Sequence, residues 1–176
     1  NFFQKKYNFI VKMENPEMQK YIIQKLNFIK HLTGQKDFGN FFDGIKDHAF
    51  LVECMCDKEV LEGLKNIHLR KIIPKLNVDN QIVLYNDPIF QQFIRTLVKY
   101  ELIGVIALFD ETIVSQVLPN INNVSISDLM TIFEVSKNHK YVKDVIDSIK
   151  EAETEKEENL EDNLVSFMRF SIMTKE

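Results

Sequence analysis

Apolar residues recur along most of the chain at intervals of three and four, the spacing of helices that bury one face. The first such run follows Asn15 and Pro16, which suit a helix cap and a first helical position, and it ends at Thr33-Gly34. One helix is therefore predicted over residues 16–32. Its predicted inward face consists of Met18, Ile22, Leu26, Ile29 and Leu32.

The next region predicts a connector followed by a long helical stretch. Residues 37–44, "DFGNFFDG", are interpreted as an aromatic-rich connector. Helical spacing resumes at Ala49 and continues to Pro74, which has no N–H to donate within a helix. Acidic side chains in this region are spaced as one solvated helix face: Asp43, Asp47, Glu53 and Asp57.

The stretch "IVLYNDPIFQQFI", residues 82–94, stops the helical pattern and restarts it. Asn86 or Asp87 can accept hydrogen bonds from the free N–H groups of a helix start, and Pro88 needs no N–H there. A helix from Pro88 is predicted, with one broad apolar stripe of Ile89, Phe90, Phe93, Ile94, Leu97 and Val98. Residues 76–84 are assigned to a helix end because no other strand signal could pair with them.

The remaining third of the chain also predicts helices. Residues 101–109 are apolar nearly all round, which indicates a central helix, and Ser125 or Ser127 should cap another. Residues 151–159 are predicted to form an acidic loop within a solvated, partly helical segment. The inward positions of the last two helices are Tyr141, Val142, Val145, Ile146 and Ile149, then Leu160, Leu164, Phe167, Met168 and Ile172.

These segments predict about eight helices and no convincing sheet. Their breaks recur at about 40 residues, the spacing of HEAT or armadillo stacks. The expected fold is all-α, with stacked helical hairpins of armadillo/HEAT type forming a single helical domain over residues 1–176. An irregular helical bundle is the alternative.

Few residues offer catalytic or metal chemistry. Cys54 and Cys56 could join His48 and His68 around zinc, but side chains two apart on a helix point about 200° apart. Two buried core thiols are therefore expected. The sequence has no nucleophile motif and no glycine-rich phosphate loop among its five glycines. We expect no enzyme activity, no cofactor, no metal and no small-molecule substrate.

Charge is distributed unevenly although the net charge is only −4. Residues 1–36 hold seven Lys against two Glu, and residues 147–162 hold eight acidic side chains against two Lys. Cations near Pro74 suit a helix C-terminus, and together with those of the first helix they could also contact the phosphates of a ribonucleoprotein. The candidate partner-binding residues are Lys20, Lys25, Lys30, Lys65, Arg70, Lys71 and Lys75.

The compartment is inferred from the cysteines and from the lengths of the apolar runs. Two Cys one residue apart provide no disulfide framework, which indicates a reducing compartment. The longest apolar run, residues 102–109, is too short to span a bilayer, and no signal peptide is recognisable. A cytoplasmic location is expected, with the nucleus as an alternative, and no membrane partner.

Several segments resemble one known family. "IVLYNDPIFQQFI" and the following "KYELIGVIALFD" are similar to the central helical region of the protein phosphatase 4 regulatory subunit 3 family, also called suppressor of MEK. "LEGLKNIHLRKII" upstream and "YVKDVIDSIKEAETEKEENLEDNLVSFMRFSI" downstream resemble flanking helices of that region. The resemblance covers roughly residues 58–110 and 140–172 in a divergent and shortened form, and it implies an armadillo-like, non-catalytic protein.

The expected function is a non-enzymatic scaffold or adaptor that binds a macromolecular partner. By resemblance, that partner is a protein phosphatase 4-type assembly. The alternative is a small helical factor of dormancy or inhibitory type, which docks on the ribosome or another ribonucleoprotein through its basic helices.

Overall fold

A computed structural model describes residues 2–32, 34–35, 37–135, 140–155, 164 and 167–169. These residues form helices packed against one another, with no strand among them, so the all-α prediction is confirmed. Contacts between Cα atoms divide the chain into two compact units, Asn1–Thr96 and Leu97–Glu176. The single-domain organisation stays a prediction.

The first unit contains nine α-helices among its described residues. They are α1 (Phe2–Lys12), α2 (Pro16–Lys25), α3 (Phe28–Leu32), α4 (Phe38–Asp43), α5 (His48–Met55), α6 (Lys58–Gly63), α7 (Asn66–Ile72), α8 (Val78–Asn86) and α9 (Pro88–Arg95), with a 3₁₀ turn at Ile73–Lys75. The α5–α6 and α8–α9 pairs stack, because α5 packs on α8 and α6 packs on α9. Helix α4 packs on α7, and α1 packs on α2.

The second unit repeats this arrangement of stacked helices. Its helices are α10 (Lys99–Ile106), α11 (Glu111–Val117), α12 (Ile126–Val135) and α13 (Lys140–Glu155), with a 3₁₀ turn at Leu118–Asn120. Helix α10 packs on α12, α11 packs on α13, and α12 packs on α13. Residues 164 and 167–169 are also helical.

The helix predicted over residues 16–32 is two helices, and of its predicted inward face Leu32 is buried whereas Met18 and Leu26 are exposed. Asn15 caps α2 as expected, accepting a hydrogen bond from Met18 N at 2.9 Å. Asn27 then adopts a positive φ of 48°, which ends the first helical segment because a helix needs negative φ. Residues Gln19 and Ile23 face the core, whereas Met18 is 52% exposed.

A buried glutamine explains why α2 turns this face inward. The Gln19 side chain is 1% exposed, and its Nε2 donates to Ile10 O at 3.0 Å and Gly44 O at 2.8 Å. Its Oε1 accepts from Lys46 N at 2.8 Å. These bonds satisfy the backbone at the ends of α1 and α4, so burial of this amide carries no unmet polar group at Nε2 or Oε1.

The predicted connector at residues 37–44 is instead helix α4, and this correction has a physical cause. Phe41 is buried, and its ring centroid lies 5.0 Å from that of Phe28 and 5.6 Å from that of Tyr7. Phe38 and Phe42 are also buried, with centroids 5.1 Å apart. Packing of these rings, rather than local helix propensity, stabilises the segment as a helix.

The predicted acidic helix face between Asp43 and Asp57 is also wrong. Asp47 accepts from Phe50 N at 3.0 Å and caps α5, and Asp57 accepts from Val60 N at 3.1 Å and caps α6. The helical stretch from Ala49 to Pro74 is therefore divided into three helices. Carboxylates that were expected to lie on one solvated face mark the breaks instead.

The central stop and restart is confirmed. Residues 78–84 of the segment 76–84 lie in helix α8, and Asp87 then caps α9 by accepting from Ile89 N at 2.8 Å and Phe90 N at 3.3 Å. Pro88 is the first residue of α9. The apolar segment after it is central to the second unit, where Ile103 and residues 105–109 are buried.

The C-terminal expectations are confirmed in part. The inward positions of α13 from Tyr141 to Ile149 are buried. The acidic loop predicted at residues 151–159 does not include residues 151–155, because these continue α13, in keeping with the partly helical character predicted for this segment; Glu and Ala are good helix formers. Residues 156–159 and much of the last predicted helix lie outside the described residues, within which Leu164 and Met168 are buried.

Candidate partner-binding surface

Two depressions of the first unit border α6, one on each side of the helix. We call the first the apolar groove, which has a volume of about 260 Å³. It is lined by Lys58 and Glu62 of α6 and by Ile89, Gln92, Phe93 and Thr96 from the α9 side. The α9-side positions are spaced by three, one and three residues, so they share one helix face.

The groove exposes apolar surface that the fold does not use. Ile89 is 38% exposed and Phe93 is half-buried, whereas Phe90 and Ile94 are buried beneath them. Lys58 and Glu62 flank the groove with Nζ and Oε1 4.0 Å apart. Since both side chains are exposed, this ion pair adds little stability and leaves a polar rim around an apolar floor.

The second depression is the polar cleft, with a volume of about 460 Å³. It is lined by Asn27, Ile29, Lys30, Glu53, Cys54, Cys56, Asp57, Glu59 and Val60. Three carboxylates and one ammonium give its lining an acidic balance. Of the seven candidate basic residues, Lys30 is the one found in this lining.

The two thiols of the polar cleft are half-buried, not fully buried as expected. Burial raises the pKa of Cys54 to about 12, and the neighbouring Glu53 carboxylate adds to this increase. Burial and the carboxylate of Asp87 likewise raise the pKa of Cys56 to about 12. Both thiols are therefore protonated at neutral pH, a state that is a poor nucleophile and a poor metal ligand.

The two histidines considered as zinc ligands take other positions. His68 Nδ1 accepts from Lys65 N at 3.2 Å, and burial, then Lys71 and Lys65, lower its pKa. Burial and then Lys75 lower the pKa of His48. In the part of the chain that the structure describes, no three His, Cys, Asp or Glu side chains converge as a metal site.

Two of the seven predicted basic residues, Lys75 and Lys20, make contacts within the fold. Lys75 Nζ lies 2.8 Å from Asp43 Oδ1 and donates to Asp43 O at 2.7 Å, which satisfies the C-terminus of α4. Lys20 is half-buried, with Nζ 5.5 Å from the centroid of the Phe50 ring. These two side chains have an intramolecular role that the sequence did not reveal.

The other basic candidates are exposed, and three of them belong to α7 or its cap. Lys25 ends α2, Lys65 precedes α7, and Arg70 and Lys71 lie in the last turn of α7. Lys65 and Lys71 both lower the pKa of His68, so these two ammonium groups lie near the same imidazole.

Sequence reasoning placed Ile89 and Phe93 in the core and therefore missed the groove. One signal was available: the predicted stripe of α9 contained six apolar residues, wider than a single buried face requires.

No family model, curated protein or solved structure matches the chain. Among the described residues, no helix has the length and apolar character needed to cross a bilayer.

Proposed function

We propose that the protein is a non-enzymatic helical scaffold that binds a segment of a protein partner in the apolar groove between α6 and α9. The observation that carries this proposal is the exposed apolar floor of Ile89 and Phe93, bounded by the polar side chains of Lys58 and Glu62. An apolar floor within a polar rim is the usual composition of a protein interface. A partner helix or turn with one or two large apolar side chains fits such a groove.

The packing of the surrounding helices supports the scaffold interpretation. Helix α5 lies on α8 and α6 lies on α9, so the groove forms where successive helical pairs stack. Armadillo and HEAT proteins present binding surfaces in this way, and we propose that this chain belongs to that architecture. The resemblance of residues 58–110 to the phosphatase 4 regulatory subunit 3 family makes a phosphatase-type assembly the proposed partner.

The chemistry of the polar cleft supports a non-enzymatic role. Protonated Cys54 and Cys56 thiols do not provide a nucleophile at neutral pH. The carboxylate of Asp57, which also lines the cleft, is engaged as the cap of α6. We therefore assign the cleft no reaction and place partner binding in the apolar groove.

Co-purification from the protein's own cells tests this proposal with a matched pair of variants. Ile89→Lys places a charge on the groove floor, whereas Val83→Lys makes the same change at an exposed α8 position that does not line the groove. We expect the wild type and Val83→Lys to retain a phosphatase catalytic chain and Ile89→Lys to lose it. Retention by Ile89→Lys, or equal loss by both variants, would contradict the groove assignment.

Sedimentation of the wild type separates this function from ribonucleoprotein docking. A protein held by phosphate contacts should move with ribosomes and be released steeply by added salt, because each contact displaces counterions. We expect the phosphatase-type complex to survive the same increase in salt. Ribosomal sedimentation without a phosphatase chain would favour the alternative function.

A further inference from the structure

Helix α1 carries an exposed aromatic side chain between two exposed lysines. Phe9 is 63% exposed, and Lys5 and Lys12 lie four residues before it and three after it. This spacing places all three side chains on one face of the helix. At a rise of 1.5 Å per residue, the two lysines are about 10 Å apart along the axis.

A depression lies beside the Phe9 ring. It has a volume of about 350 Å³ and is lined by Asn8, Phe9, Lys12 and Met13. Gln4 Nε2 donates to Asn8 Oδ1 at 3.3 Å, which orients the Asn8 amide at the edge of this depression. An apolar ring, an amide and an ammonium therefore border one open space.

Positive charge predominates around this face, since residues 1–36 hold seven Lys against the two carboxylates of Glu14 and Glu17. Lys46 donates from Nζ to Val11 O at 2.9 Å, which places a further ammonium at the C-terminal end of α1 near Lys12. Helix α2, which packs on α1, repeats the pairing with Tyr21, 57% exposed, and Lys25 one turn later. Positive charge with exposed rings complements a flexible polyanion that also carries flat apolar groups.

We propose that this face of α1 binds single-stranded nucleic acid, with one base stacked on Phe9 and neighbouring phosphates held by Lys5 and Lys12. Stacking explains the exposed ring, and the lysines explain the charge around it. An anionic membrane fits less well, because Tyr7 and Ile10, the other apolar residues in the middle of the helix, are buried in the fold and cannot insert. This activity goes beyond the proposed scaffold function and uses a surface other than the α6–α9 groove.

Fluorescence anisotropy of the full chain with a labelled oligouridine of about 12 nucleotides tests the stacking contact. We expect Phe9→Ala to weaken binding by about 5- to 150-fold and Phe9→Tyr, which keeps a ring, to bind as the wild type does. Phe9→Leu keeps apolar surface without a ring and should bind as weakly as Phe9→Ala. Wild-type affinity in Phe9→Leu would overturn the stacking assignment. Because Phe9 is exposed, these variants should unfold at the wild-type urea concentration.

Salt titration between about 50 and 200 mM tests the phosphate contacts. Removing both lysines by Lys5→Gln and Lys12→Gln should reduce the slope of log K against log salt by about 1.4, which is 0.7 for each single-strand contact. The matched control, Lys143→Gln with Lys150→Gln, removes two exposed lysines from α13 and should leave the slope unchanged. Equal slopes in the two double variants would contradict the proposal.

Vesicles of phosphatidylcholine and phosphatidylserine provide the competing partner. Sedimentation of the protein with these vesicles, together with no anisotropy change with the oligonucleotide at low salt, would overturn the proposal in favour of membrane binding. We expect oligonucleotide binding and no sedimentation. The Ile89→Lys variant should bind the oligonucleotide normally, so failure of the scaffold function and failure of this inference are distinguishable.

Discussion

Helices α7 and α12, one in each compact unit, begin with the same hydrogen bond made to different acceptors. In α7, Lys65 N donates to His68 Nδ1 at 3.2 Å. In α12, Ser125 N donates to Asp128 Oδ2 at 2.9 Å. In both cases the side chain three residues into the helix reaches back to the backbone of the cap residue.

The cap of α12 is reciprocal and the cap of α7 is not. Asp128 N donates to Ser125 Oγ at 3.2 Å, which completes a capping box. The ammonium of Lys65 has no lone pair to accept the corresponding bond. We therefore expect the α12 cap to contribute more to stability than the α7 cap.

Neighbouring lysines favour the deprotonated side chain at both caps, which is neutral for His68 and negatively charged for Asp128. At His68, burial and then Lys71 and Lys65 lower the pKa, so the imidazole stays neutral and can accept a hydrogen bond. At Asp128, burial acts to raise the pKa, but bonds from Ser125 and Lys99 outweigh it and lower the pKa. The α7 cap requires a neutral His68 and the α12 cap requires an ionised Asp128, so the two caps are lost in different pH ranges.

Substitution Gly39→Ala should have the largest effect, because it breaks the α7 cap by steric overlap. A Cβ at Gly39 of α4 would lie 2.2 Å from His68 Nδ1 and 2.3 Å from its Cε1. The ring must move, which disturbs both the cap and the α4–α7 contact. We expect a loss of about 1–3 kcal/mol in the free energy of unfolding, measured in urea.

Gly104→Ala is the matched control in the second unit. Gly104 lies within α10, the helix that packs on α12, and a Cβ there meets nothing within 4 Å. Alanine should stabilise this helix by about 0.5–1 kcal/mol. If Gly104→Ala lowers the free energy of unfolding, or if Gly39→Ala leaves it unchanged, then a Cβ is not excluded at Gly39 and accommodated at Gly104 as described.

Asp128→Ala should have the next largest effect, because it removes the reciprocal cap of α12. We expect a loss of about 0.5–2 kcal/mol in the free energy of unfolding in urea at pH 7. Asp128→Asn keeps an acceptor for Ser125 N but removes the charge next to Lys99, whose Nζ lies 3.2 Å from Asp128 Oδ2. Because that ion pair is partly exposed, Asn should cost less than Ala. Equal losses in Asp128→Asn and Asp128→Ala would show that Asp128 stabilises the protein through its ion pair with Lys99 and not through the cap of α12.

The parts of the fold that were predictable are those encoded locally. Asn15 with Pro16, Asp87 with Pro88, and Ser125 each mark a helix start, because a cap depends on residues two or three positions away. The sequence predicts the first cap outright, and for the other two it leaves Asn86 or Asp87 and Ser125 or Ser127 as alternatives that the structure decides.

Other parts depend on contacts between distant residues. Helix α4 forms around Phe41, whose ring partners include Phe28 and Tyr7. Gln19 turns inward because Gly44 O and Lys46 N lie within reach of it, 25 and 27 positions along the chain. Periodicity does not contain this information.

The candidate site was less predictable than the fold, for the same reason. The sequence marked Ile89 and Phe93 as apolar, but only the position of α6 decides that they line a groove instead of a core. The basic set was chosen by charge alone, and contacts with Asp43 and Phe50 show that Lys75 and Lys20 have structural roles.

His68→Gln should have the smallest effect and tests the pH difference between the caps. The pKa of His68 is lowered in the folded state from its usual 6.5, so below that pH the unfolded chain binds more protons and stability falls. Glutamine can accept from Lys65 N without titrating, so it should keep wild-type stability at pH 8 and lose less on acidification. Urea unfolding from pH 8 to 5 measures this difference, and His48, whose pKa is also lowered, should leave a residual slope. Asp128→Asn should not change how stability varies between pH 8 and 5. The stabilising contribution of Asp128 is lost only as the pH falls below about 4, near the usual carboxyl pKa of 3.8. If His68→Gln follows the wild-type curve throughout, the α7 cap does not depend on a neutral imidazole.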